Sequence, residues 1–106
     1  MPKFGVLTVP GKSGLVYKFD AYPLKTVWTP ISAVYIVTHR CVLSDGAAEH
    51  VCVHLGDSQN LQELPSPVGK WVDIDRANCI CVLEEESPER RKKILDDILA
   101  ASFLPP

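Results

Sequence analysis

The chain has 106 residues, 46% of them hydrophobic and 23% charged, with a formal net charge of −2. That is one domain's worth of chain with an ordinary globular composition, long enough to bury a core without disulfides or metal. A mild acidic balance argues against a protein that grips nucleic acid through phosphates, which calls for a positive excess; a local basic face is still open to it.

Residues 1 to 14 are punctuated by Pro2, Gly5, Pro10, Gly11 and Gly14. They read as an irregular lead-in with room for a short strand at Phe4 to Val9. Leu15 to Phe19 is a second strand candidate, and Pro23 and Pro30 bracket a loop that carries Trp28. Ala33 to Cys41 is the clearest strand, rich in β-branched and aromatic residues. The turn signal Ser44-Asp45-Gly46-Ala47 and the apolar run His50 to Leu55 complete an antiparallel hairpin.

Asp57 or Ser58 is placed to cap a helical turn over Gln59 to Leu64, which Pro65 and Pro67 stop. Asn78 to Leu83 is a third apolar strand, ended by Glu84, Glu85 and Glu86. Ser87-Pro88 opens a helix, since serine is a favoured N-cap and proline a favoured first residue. Ile94, Leu95, Ile98 and Leu99 give that helix an apolar stripe, and Arg90 to Lys93 read as its solvated basic face. The predicted architecture is α+β: a small, mainly antiparallel sheet with packed helices.

Cys41, Cys52, Cys79 and Cys81 form no CxxC pair and sit in apolar stretches. With no signal-peptide pattern and no apolar run of membrane-spanning length, the expectation is a cytoplasmic protein with reduced thiols and no membrane partner. Cys79 and Cys81 read as small buried hydrophobes. On a regular strand, His50, Cys52 and His54 share one face, with His39 and Cys41 opposite, which is a possible thiolate–imidazole metal module. Trp28 and Trp71 read as packing residues rather than base-stacking platforms.

Ala33-Val34-Tyr35 lies on the first hairpin strand, and His54-Leu55-Gly56 ends the second. Asp57-Ser58-Gln59-Asn60-Leu61 follows, and the last helix carries Asp96, Leu99, Phe103 and Pro105. In order and spacing this set resembles the GIY-YIG nuclease superfamily, whose members carry Gly-Ile-Tyr and Tyr-Ile-Gly on two strands, then an arginine on a helix, then a glutamate on a later helix. The resemblance covers residues 33 to 106 and leaves residues 1 to 32 as an N-terminal extension of a single domain.

The resemblance implies a GIY-YIG-like fold and a metal-dependent phosphodiester hydrolase. Tyrosines would surround the scissile phosphate and the acidic residue would hold magnesium or manganese. Carried over, the catalytic residues are Tyr35, His54 in place of the second tyrosine, and Asp96 in place of the metal-binding glutamate.

The departures are chemical. Histidine is a conceivable substitute base. Aspartate is one methylene shorter, and a misplacement of about 1 Å costs on the order of a hundredfold in rate. Leu64 stands where the arginine is expected, and losing such a group costs roughly 10² to 10³ in rate. Arg40 and Arg76 are the candidate substitutes for binding substrate phosphate. The expectation is a degenerate domain that has lost nuclease competence and acts as a binding or interaction module of unknown ligand. A divalent-metal endonuclease with an altered site and a metal module on the His50/Cys52/His54 strand are the competing readings.

Overall fold

The computed structural model describes residues 3–64 and 76–101. Its frame is one sheet of five strands: β1 (Gly5–Pro10), β2 (Val16–Pro23), β3 (Ala33–Val42), β4 (Ala48–Ser58) and β5 (Cys79–Glu84). One helix, α1 (Pro88–Ala100), completes the described elements together with a 3-10 turn at Leu61–Glu63.

The strands lie in the order β1-β2-β5-β3-β4, and every pairing is antiparallel. Two hairpins, β1–β2 and β3–β4, are thus joined by β5, which slots between β2 and β3. Five apolar residues in a row, Cys79 to Leu83, suit this central place, because a strand between two neighbours with cover on both faces has few positions left for water. Residues before position 32 are therefore no appendage: β1 and β2 belong to the same sheet and carry core residues Val9, Phe19 and Ala21. The antiparallel sheet with a packed helix agrees with the α+β expectation.

Local chemistry explains each boundary. The β3–β4 loop turns at Gly46, whose φ of +89° favours glycine, and Asp45 Oδ1 accepts from the Ala47 amide at 2.9 Å. The 3-10 turn is capped by Asn60, whose side chain accepts from the Gln62 amide, and not by Asp57 or Ser58 as expected. Ser87 caps α1 as expected, accepting from the Arg90 amide at 3.3 Å with Pro88 at the first helical position. Pro65, Pro67, Trp71, Phe103 and Pro105 lie outside the described residues.

The sheet separates two apolar clusters. On the helix face, Val9, Phe19, Ala21, Val34, Ile36, Cys79, Cys81 and Ile98 are buried, with Ile94 and Leu95 packed against them. On the other face, Tyr35 and Val37 of β3 join Ile80 and Val82 of β5, Leu61 and Ala77, covered in part by Tyr22, Trp28, Ile31 and Leu64. Trp28 packs edge-on to Tyr22 with ring centroids 5.0 Å apart, the packing role expected of it.

The helix departs from its expected stripe. Leu99 is exposed, and the fourth inward position is taken by Arg91, only 1% exposed. Arg91, Ile94, Leu95 and Ile98 stand at i, i+3, i+4 and i+7, a truer helical face than the one the apolar residues alone suggest. The Arg91 guanidinium is held at two of its nitrogens: Nε donates to Asp57 Oδ2 at 3.1 Å, and Nη1 to the Glu85 and Glu86 carbonyls at 2.9 Å each. Burial of a charge is tolerable only when paired and hydrogen-bonded in this way. The expected solvated basic face holds for Arg90, Lys92 and Lys93 but not for Arg91.

Candidate functional site

The residues singled out by sequence fall on both sides of the sheet. Tyr35 and His54 are together: their rings lie 5.8 Å apart, on the face away from α1. Gly56 passes beneath them, and a Cβ there would come within 2.9 Å of the Tyr35 hydroxyl and 3.2 Å of His54 Nε2. Burial, then the Asp57 carboxylate, pushes the Tyr35 phenol above its ordinary pKa. That is the wrong direction for a phenolate base. Leu64 packs in the same cluster as Tyr35, so the position expected to hold an arginine contributes an apolar wall.

Asp96 is elsewhere. It sits on α1, which packs on the opposite face, and its exposed carboxylate pairs with Lys92 at 3.4 Å across one helical turn. Its neighbour Asp97 is engaged by Ser13 and Tyr17. A hard cation such as magnesium requires several converging oxygens and near-octahedral geometry. A single carboxylate that already faces an ammonium group does not supply them, so these residues do not fit a resident magnesium or manganese ion.

The two candidate arginines are also apart from Tyr35. Arg40 follows Thr38 on the helix-side alternation of β3, stacks over the Phe4 ring at 4.3 Å, and exchanges two backbone hydrogen bonds with the Asn78 side chain. Arg76 is exposed and has a φ of +55°, and its carbonyl faces His39 Nδ1 at 2.8 Å.

The expected metal strand is rearranged by a β-bulge. Val37 pairs with His54 but Thr38 pairs with Cys52, so Val53 is the extra residue on β4. The bulge shifts the alternation by one. His54 goes to the Tyr35 face, while Cys52 packs into the helix-side cluster. His50, Cys52 and His54 therefore do not share a face, because the strand is not regular. His39 turns to Arg76 and Cys41 is exposed, so neither joins them.

What the bulge assembles instead crosses three strands. Thr38 on β3 pairs with Cys52 on one side and Cys79 on the other, with Cys81 two residues along β5. The Thr38 hydroxyl lies 2.9 Å from His50 Nδ1, and the two thiols of Cys79 and Cys81 are 3.9 Å apart. One ligand atom from each of His50, Cys79 and Cys81 lies within 4.8 Å of the others.

The electrostatics favour one ionised thiol over two. The Cys79 thiol is pulled below its ordinary range, chiefly by the hydrogen bond from Cys81, with Thr38 and the Arg40 charge helping against burial. Cys81, the donor, is pushed up by that bond and by burial. Burial raises the Cys52 thiol to about 11. His50 is held below its usual value by burial first and by Arg40 second, so its ring is neutral near pH 7.

Sequence reasoning found each of these cysteines and His50 but not their grouping. The only local signal was the i, i+2 spacing of Cys79 and Cys81. Among the described residues, no helix is long and apolar enough to cross a membrane. No protein-family model, curated protein or solved structure matches this chain.

Proposed function

We propose that this chain is a binding or interaction domain with a GIY-YIG-like hairpin, and not a working phosphodiester hydrolase. One observation carries the reading: Tyr35 and His54 lie on one face of the sheet, and Asp96 lies on the helix that covers the other. A helix packs about 10 Å from a sheet's mean plane, on the scale of sheet packing distances. A cation held at Asp96 would be out of reach of a phosphate held at Tyr35, and Lewis-acid catalysis acts only on atoms the metal touches.

Three further facts support it. Leu64 offers no charge to a phosphate at the Tyr35 face. Arg91 is committed to Asp57 and two carbonyls. The Tyr35 phenol is less acidic than an ordinary tyrosine. The likeness to the nuclease family then rests on the hairpin and on the Tyr35–His54–Gly56 patch, as a surface retained for binding rather than for chemistry.

The test is a divalent-metal nuclease assay on single-stranded, duplex and branched DNA and on RNA, with magnesium and with manganese. Asp96→Ala and Tyr35→Phe serve as controls. No cleavage above the level of the two variants is expected. Cleavage that disappears in both variants would establish the altered-site endonuclease in its place.

A further inference from the structure

We infer that His50, Cys79 and Cys81 form a binding site for one thiophilic closed-shell cation, of the zinc(II) or copper(I) type, on the helix face of the sheet. The inference stands on this cluster alone and does not depend on whether the Tyr35 face hydrolyses anything.

Three observations carry it. The first is the spacing of the sulfurs. Two thiolates on one tetrahedral metal at 2.3 Å each are separated by about 3.8 Å. Cys79 and Cys81 hold their sulfurs at 3.9 Å. The widest of the three ligand-atom separations, within 4.8 Å, needs about 1 Å of closure to bring an imidazole nitrogen and a sulfur onto one ion.

The second is the donor chemistry. Two sulfurs and one imidazole suit zinc(II) and copper(I), and exclude magnesium, calcium and manganese, which take oxygen donors. Binding is a displacement: the ion takes the place of the thiol protons of Cys79 and Cys81, which leave to solvent. No electron is transferred.

The third is the support around the donors. The Thr38 hydroxyl at 2.9 Å from His50 Nδ1 fixes the imidazole's rotation, the office that outer hydrogen bonds serve at metal sites. Cys52 is paired across from Thr38 on the same side of the sheet but is not one of the three grouped donors, so the fourth position is open to water. His50 is the half-buried member, so the rim of β4 is the entry path to two sulfurs that are otherwise fully covered.

The experiment uses the full, reduced chain. Cobalt(II) and zinc(II) are titrated at pH 7.5, and copper(I) is delivered under anaerobic competition with a chromophoric chelator. The expected result is one ion per chain. Cobalt should give intense tetrahedral d–d bands and a thiolate charge-transfer band, both bleached by zinc. X-ray absorption on the wild-type protein loaded with zinc or copper should count two sulfurs and at least one imidazole nitrogen, a readout that needs no variant.

His50→Gln should weaken the ion at least tenfold while far-UV circular dichroism stays unchanged, and Cys41→Ser should leave binding intact. Preference for copper over zinc identifies the ion, since either satisfies the site. Three results would overturn the inference: no stoichiometric uptake at micromolar free metal, an oxygen-only shell, or binding that follows Cys41 rather than His50.

Discussion

At the scale of single residues, the molecule is held by polar clamps that its apolar pattern does not announce. Asp97 accepts from the Ser13 amide at 2.9 Å, the Ser13 hydroxyl at 2.6 Å and the Tyr17 hydroxyl at 2.7 Å, tying the β1–β2 turn to the end of α1. Those donors, Ser13 first, hold its carboxyl below the usual carboxylate range. A carboxylate whose folded pKa is depressed contributes stability above its unfolded value of about 3.9, and loses it as pH falls through the lower folded value. Asp97→Asn should therefore lower stability at neutral pH and flatten the acid limb of the stability curve below pH 4. Urea unfolding from pH 2 to 7 checks this.

The same clamp explains Gly11. A Cβ there would collide with the Asp97 carboxylate and with the Tyr17 ring. Gly11→Ala should cost about 1–3 kcal/mol, the ordinary cost of forcing atoms into a filled site. Arg91 makes the second clamp. Removing its charged partner among the described residues with Asp57→Ala leaves a buried guanidinium bonded to the Glu85 and Glu86 carbonyls. The expected loss is about 2 kcal/mol, the worth of a hydrogen bond to a charged group, measured by chemical denaturation at pH 7.

At the scale of elements, the helix depends on its start. Ser87 is the cap, with its own amide bonded to Glu85 Oε2 at 3.1 Å, and Ser87→Ala should cost about 1 kcal/mol in the same measurement. This start was legible in the sequence, because serine before proline at the head of an i, i+3, i+4 pattern is a local signal. So was the β3–β4 hairpin, whose strands and Asp-Gly turn are contiguous in the chain.

What stayed hidden is non-local. The run His50 to Leu55 alternates as a regular strand would, and nothing in it marks Val53 as the extra residue. The bulge depends on the register against β3, and it decides that His50 faces the thiols while His54 faces Tyr35. The pairing of β5 between two hairpins is equally a matter of tertiary choice, and it is what brings Cys79 beside Thr38. Arg91 was missed for a simpler reason: arginine is seldom fully buried, and its partner Asp57 lies 34 residues away.

At the scale of the whole molecule, the sheet is a partition. One face carries the helix, the thiols and His50; the other carries Tyr35, His54 and the cover from Trp28, Leu61 and Leu64. Order of motifs along a chain says nothing about sides of a sheet. A net charge of −2 spread over such a molecule gives no general attraction for a polyanion. The functional reading follows from this partition more than from any one substitution.

The partition can be measured directly in solution. In a methyl-labelled sample, nuclear Overhauser contacts from the Tyr35 ring should reach methyls of its own cluster, among them Val37, Leu61, Ile80 and Val82, and none on Ile94 or Ile98 of α1. Contacts from Tyr35 to the α1 methyls would contradict the account. They would bring Tyr35 to the side of Asp96 and return the altered-site hydrolase to first place.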